Sequence, residues 1–176
     1  NDMPICVSVG RYAPVKAYDR LIKSFKGLDA NLVLIGDGDE RPSLEALIKE
    51  LNLEDRVFLT GFRNDVRAIL PSCDLFVMSS LHEGFSYAFI EALLAKLPVI
   101  STKVPGCVEL LSENFLLSSN EPAYMQASIR DFLATKTEKQ EELNALFDRA
   151  DNELTASVML ENFYKLYLEE TKTREA

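Results

Sequence analysis

The hydrophobic pattern of the chain switches repeatedly between two rhythms. A short apolar run over residues 5–9 stops at Gly10, a polar loop follows, and Tyr18, Leu21, Ile22 and Phe25 then recur at helical spacing. The unit repeats: residues 32–35 end in Gly36, and Leu44, Leu47, Ile48 and Leu51 keep the i, i+3, i+4, i+7 spacing of an amphipathic helix. A third unit runs from residues 57–59 into a predicted helix over 64–70. A fourth runs from residues 74–78, rich in β-favouring side chains, into a helix over 86–96. Residues 98–100 open a fifth strand and 115–117 form a sixth. After Asn120 the strand signals cease. Met125, Ile129, Phe132 and Leu133 share one helical face, and Leu160, Phe163, Tyr164 and Tyr167 a later one. The charged segment 136–142 reads as a solvated face or connector. Strands that are apolar throughout, rather than alternating, are covered on both faces. The pattern therefore predicts an α/β fold: a Rossmann-like, doubly wound parallel sheet of about six strands with C-terminal helices. With no repeat, low-complexity tract or Pro/Gly linker, residues 1–176 are expected to form a single domain.

Composition removes several function classes. The net charge of -9, from 19 basic and 28 acidic residues, disfavours nucleic acid, whose binders present a basic stripe that replaces condensed counterions. No apolar run approaches the roughly 20 residues needed to span a bilayer. Cys6, Cys73 and Cys107 are widely spaced with no CxxC or Cys/His pairing, and are expected to be reduced, mostly buried thiols. His82 is the only histidine, so no multi-histidine metal site can form and no metal ligands are expected. The chain opens on Asn1 and Asp2 with no cleavable apolar leader after them, so a further segment is expected to precede it.

In open parallel sheets ligands sit outside the carboxyl ends of the strands, where helix N-termini aim unpaired N–H groups into the crevice. Four strand-to-helix loops therefore carry the candidate chemistry. The first holds Arg11 and Lys16, a basic pair able to meet the two phosphates of a nucleoside diphosphate. The second holds Gly36 and Gly38, a glycine pair whose third partner in a dinucleotide fingerprint is replaced by Arg41, which disfavours a nicotinamide site. The third is Gly61, Phe62 and Arg63. The fourth, residues 82–87, is the most informative. There Glu83 can accept hydrogen bonds from sugar hydroxyls, and Gly84 lets backbone approach a ligand. Phe85 follows, Ser86 is a natural N-cap that exposes the next amides to a phosphate, and Tyr87 opens the helix. Glu91, little more than one turn inside that helix and on a different face from Phe89 and Leu93, can reach ribose hydroxyls. His82 is taken as a positional neighbour of Glu83 rather than a proton-transfer group.

The segment EGFSYAFIEALLAKLPVIS resembles the E-x7-E motif of the family 4 retaining glycosyltransferases, which have the two-domain GT-B architecture. Five further stretches fit in order over about 120 residues: VGRYAPVKAYDRLIKSF, LVLIGDG, VFLTGF, the strand from Asp74 to Val77, and Pro105-Gly106 with Glu109. The resemblance implies that this chain is the C-terminal, donor-binding domain. Arg11 and Lys16, with backbone amides after Gly84, would neutralise the diphosphate. Glu83 would hold the transferred sugar, Glu91 the ribose, and the Phe62 loop would lie beside the base. No metal cofactor is implied, because the basic pair and helix dipole stabilise the leaving diphosphate. The partners implied are a nucleotide-diphosphate sugar and the protein's own N-terminal acceptor domain, which this chain lacks. The full-length enzyme would pass a hexose-type sugar to a saccharide or lipid-linked acceptor in the cytoplasm, with peripheral membrane contact through the N-terminal domain. The isolated chain is expected to be inactive. Three departures stand out: Ala17 and Lys96 occupy positions where the family favours glycine, and Ser86-Tyr87 replaces a small and aliphatic pair. The first two are expected to concern helix packing, the third the identity of the sugar. A GT-B sugar-nucleotide epimerase and a non-catalytic nucleotide-binding module remain open. The first would need further acid/base groups, the second a partner domain with no acceptor site.

Overall fold

A computed structural model describes residues 3–84, 86–158, 160–161 and 164. Six strands form one sheet: β1 (Ile5–Val9), β2 (Asn31–Ile35), β3 (Val57–Leu59), β4 (Leu75–Met78), β5 (Val99–Thr102) and β6 (Leu116–Leu117). Their spatial order is β3-β2-β1-β4-β5-β6 and every neighbouring pair is parallel. The central strands β4 and β5 are buried along their whole length, as continuous apolar runs require. Seven named helices flank the sheet among the described residues: α1 (Tyr18–Ser24), α2 (Arg41–Glu50), α3 (Val66–Ile69), α4 (Tyr87–Leu94), α5 (Cys107–Leu110), α6 (Pro122–Thr135) and α7 (Gln140–Glu153). α1 packs against α2 and α6, and α4 against α7. The doubly wound Rossmann-like expectation holds. The strand order reverses between β1 and β4, so the loops after these two strands diverge around a switch-point crevice.

Element bounds shift for local reasons. The expected strand at 74–78 begins at Leu75, because the Asp74 carboxylate serves the neighbouring strand instead: Ile5 N donates to its Oδ2 at 2.9 Å. The helix expected over 64–70 shortens to α3 and tightens into a 3-10 turn, Leu70–Ser72, because Pro71 has no N–H to continue an α-helical ladder. The expected helix over 86–96 is α4, with Ser86 outside it as the cap. α5 was not expected. α7 is one of the expected C-terminal helices, although its residues were not specified; it is largely polar in sequence, with Leu143, Leu146, Phe147 and Ala150 buried along one side of it. Of the late apolar stripe, Leu160 and Tyr164 are exposed, while Phe163 and Tyr167 lie outside the described residues.

Among the described residues, three non-glycine residues have positive φ: Ala17 (51°), Asn52 (54°) and Lys96 (58°). Ala17 and Lys96 are the two positions where glycine was expected. The reason is backbone conformation at a helix boundary rather than interhelical packing, since a Cβ crowds the carbonyl in the left-handed region. Asn52, just past α2, is the residue type that tolerates this region best.

Candidate functional site

The floor of the crevice is backbone packed on backbone. Gly36 has φ 141°, and a Cβ there would stand 2.0 Å from Gly10 O; one on Gly38 would stand 2.4 Å from Tyr12 O. Neither position can carry a side chain. The two loops are stitched by Gly10 N to Ile35 O and Tyr12 N to Asp37 O, both 2.9 Å, and Gly36 N donates to Gly61 O at 3.0 Å. Gly36 and Gly38 thus hold the carboxyl ends of β1, β2 and β3 together. Above them lies a crevice of 380 Å³ lined by Gly10, Arg11, Gly36, Asp37, Phe62 and Arg63, among others. Phe62 is 82 % exposed at its rim. Arg11 pairs with Asp39 at 3.0 Å, but the side chains are 71 % and 91 % exposed, so the pair contributes little and leaves the guanidinium free to move.

Lys16 and Glu83 meet across the switch point. Lys16 ends a 3-10 turn, Pro14–Lys16, and its side chain folds back over Gly10, where a Cβ would stand 2.9 Å from Lys16 Cε. The ammonium forms an ion pair with Glu83 Oε1, the two side chains being only 17 % and 14 % exposed. Ser80 Oγ donates to the same carboxylate oxygen at 2.7 Å. The loops carrying the pair are clamped together: Ser79 Oγ donates to Lys16 O at 2.7 Å and Leu81 N to Val15 O at 2.8 Å. Thr102 Oγ1, at the end of β5, fixes Ser80 O at 2.6 Å. A desolvated pair of this kind gains little net stability, because the charges lose hydration to form it. It does place a cation and an anion together beside the crevice with restricted freedom.

The other candidates take up separate positions. Ser86 caps α4, accepting from Phe89 N at 3.4 Å. A Cβ on Gly84 would touch nothing and its φ is ordinary, so the fold itself does not require glycine there. Tyr87 is 76 % exposed and His82 is exposed, while Phe85 lies outside the described residues. Glu91 faces away from the buried Phe89 and Leu93 and accepts from Arg67 Nε at 3.1 Å. It lines a second groove, of 450 Å³, with Arg67, Pro71, Leu94, Ala95 and Thr155. This groove adjoins the first through α3, whose Val66 lines the crevice while Arg67 holds Glu91. The structure thus brings Lys16 to Glu83, and Arg11, Gly36 and Phe62 to one crevice, with Glu91 to one side.

Sequence reasoning missed Ser79, Ser80, Thr102, Arg67 and the hydroxyl of Tyr18. Hydroxyl residues directly after β4 and at the end of β5 were a usable signal, since strand carboxyl ends face the crevice. Tyr18 was concealed by its place on an apolar helix face, and Arg67 by a stretch that reads as plain surface. Among the described residues no three His, Cys, Asp or Glu side chains cluster in a metal-binding arrangement. The thiols are free, with Cys6 and Cys107 buried and Cys73 half-buried. Burial pushes the Cys73 and Cys107 thiols up to about 11 and the Tyr12 hydroxyl, which donates to Leu34 O at 2.8 Å, up to about 12. No helix among the described residues is long and apolar enough to cross a membrane.

In sequence the chain is similar to glycosyltransferases. The chain is 37 % identical over 106 residues to the lipopolysaccharide core biosynthesis glycosyltransferase LpsE of Rhizobium meliloti, covering 60 % of this chain and 31 % of LpsE. It is 41 % identical over 98 residues to a Campylobacter jejuni N-acetylgalactosamine-N,N'-diacetylbacillosaminyl-diphospho-undecaprenol 4-alpha-N-acetylgalactosaminyltransferase, covering 54 % and 27 %. The chain therefore spans about a third or less of the length of these relatives. In fold it is similar to Anabaena HepE, solved with UDP-glucose, at a TM-score of 0.88 and 22 % identity, over 96 % of this chain and 49 % of that one. The sheet order, the crevice loops and a match over residues 1–146 to the family described as glycosyl transferases group 1 agree, and the chain belongs to that family.

Proposed function

We propose that this chain is the nucleotide-sugar-binding half of a retaining, family 4 GT-B glycosyltransferase, placed C-terminal to an acceptor-binding domain. The observation that carries the reading is the desolvated Lys16–Glu83 pair, set at the switch point beside a glycine-floored crevice. In this reading the base enters the crevice beside Phe62, and Arg11 and Lys16 meet the diphosphate, with the amides at the start of α4 completing its shell. Glu83, released from Lys16, accepts hydrogen bonds from the transferred hexose, and Glu91, released from Arg67, accepts from the ribose hydroxyls. Gly84 lets the protein backbone come close to the donor. As the sugar–phosphate bond breaks, the two cations stabilise the charge that develops on the leaving diphosphate, without a metal. The acceptor, a saccharide or lipid-linked sugar, comes from the N-terminal domain, which would also make any peripheral contact with the cytoplasmic membrane face. One wall of the cleft cannot turn over by itself, so the isolated chain is inactive.

Two measurements test this. Titrating the chain with UDP, GDP and UDP-glucose under NMR detection should move resonances of residues 10–16, 61–63 and 83–91; no response to any nucleotide overturns the reading. Full-length protein given labelled donor should produce a glycoside whose anomeric configuration matches the donor. Epimerised donor, or no turnover, assigns the domain to a different role.

A further inference from the structure

One buried polar atom beside the site has no use in the fold. Tyr18 is 1 % exposed, and its hydroxyl has no hydrogen-bond partner, although buried hydroxyls are nearly always paired. The Ser8 side chain lies close enough to interact with it and to oppose the rise in its pKa, but not within hydrogen-bond geometry. The ring itself is well accounted for, packing edge-on against Tyr12 with centroids 5.7 Å apart and planes at 83°. Phenylalanine would supply all of that packing. The hydroxyl points at Gly10, standing 3.0 Å from where a Cβ would be, and Lys16 Nζ stands 3.2 Å from the same point. Lys16 and Tyr18 are separated by Ala17, whose left-handed backbone turns the chain so that both side chains converge over Gly10. The strained alanine, the side-chain-free glycine and the unpaired hydroxyl thus form one local device.

We propose that Tyr18 is a positioning residue for the nucleoside diphosphate: its hydroxyl oxygen accepts a hydrogen bond from Lys16 Nζ when the ammonium turns from Glu83 to the phosphates. A lysine ammonium has three donors and no built-in direction. With the carboxylate gone, a fixed acceptor below it aims the remaining N–H groups at the ligand. The same exchange frees Glu83 for the sugar. The inference rests on Lys16 being the diphosphate's partner.

The test uses the whole chain with UDP, GDP and uridine as probes, and compares it with Tyr18→Phe. The variant should fold with an unchanged or higher Tm, because it deletes an unpaired buried hydroxyl. It should bind the diphosphate that the parent prefers about tenfold more weakly, the loss expected for a hydrogen bond to a charged group. Any uridine affinity should stay as it is. In the parent chain labelled with [13Cζ]tyrosine, the Tyr18 signal should move on adding the diphosphate and not on adding uridine, a readout that does not depend on the variant folding. Equal diphosphate affinity in parent and Tyr18→Phe, or a stationary Tyr18 signal in a chain that binds, overturns the positioning role alone. A parent chain that binds neither UDP nor GDP overturns the donor-site reading and this inference with it.

Discussion

A left-handed alanine next to the lysine proposed to meet the diphosphate is costly, and the cost is measurable. Ala17 sits at φ 51° and is buried, where a Cβ costs about 1–2 kcal/mol relative to the right-handed region. Glycine removes that strain and gives back roughly half through the greater freedom of the unfolded chain. Ala17→Gly should therefore raise stability by about 0.5–1 kcal/mol, seen as a Tm higher by about 1–4 °C. Lys96→Gly should gain less from the same relief, because Lys96 also pairs with Asp151, donates to Phe147 O at 3.2 Å and lies over the Phe147 ring. A lower Tm for Ala17→Gly would show that its Cβ contacts outweigh the backbone strain. The Lys16–Glu83 pair allows a sharper separation of stability from binding. Lys16→Met leaves Glu83 desolvated with only Ser80 to satisfy it, a loss of about 1–3 kcal/mol in urea unfolding. Adding Glu83→Leu should recover most of that stability and none of the nucleotide binding.

α4 acts at the scale of an element, through its N-terminus. Its first turn carries no acidic residue, so its amides and dipole are open to an anion, and Ser86 supplies the one side-chain cap. Ser86→Ala should cost about 1 kcal/mol of stability. If the helix start also serves the diphosphate, Ser86→Ala should weaken UDP binding less than Lys16→Met does, since the amides themselves remain. A binding loss as large as that of Lys16→Met would instead place the Ser86 hydroxyl on the ligand. The start of this helix was readable from residues, since Ser86 before an apolar face is a cap by its chemistry; its end lies at Leu94, two residues before the expected one. α5 was not readable, having four residues, too few to establish a period, and α7 was readable only as part of a helical C-terminal stretch, because its polar majority conceals the apolar stripe until a neighbouring helix covers it.

The whole molecule depends on a sheet whose central strands are entirely buried, and buried thiols make its stability sensitive to alkali. Burial raises the Cys107 and Cys73 thiols from 9.0 to about 11 in the folded state and lifts Cys6 still further. A group whose folded value lies above its unfolded value supports the fold below the unfolded value and withdraws that support as pH rises through the folded one. Stability should thus hold up to pH 9 and fall between pH 9 and 11, by about 2–3 kcal/mol from Cys107 alone. Cys107→Ser should flatten that decline in urea melts taken across the range. A decline of equal size in the variant would assign the loss to other groups.

Alternation of apolar runs with helical spacing was enough to settle the strands, their parallel pairing and the position of ligand loops at their carboxyl ends. These follow from local periodicity and from the rule that a strand apolar on both faces must be covered on both. The candidate residues were singled out on the same local ground: Arg11, Lys16 and Glu83 stand in loops that follow strands, and Glu91 in the helix after such a loop. Which of them touch was decided only by the fold. Lys16 and Glu83 are 67 positions apart and meet because β1 and β4 are neighbours in space. Glu91 and Arg67 are 24 positions apart and meet only as a contact between α4 and α3. The roles of Gly36 and Gly38 as backbone crossings exist only between segments distant in sequence, and the stranded hydroxyl of Tyr18 exists only once the chain has turned back over Gly10, so no local pattern carries them.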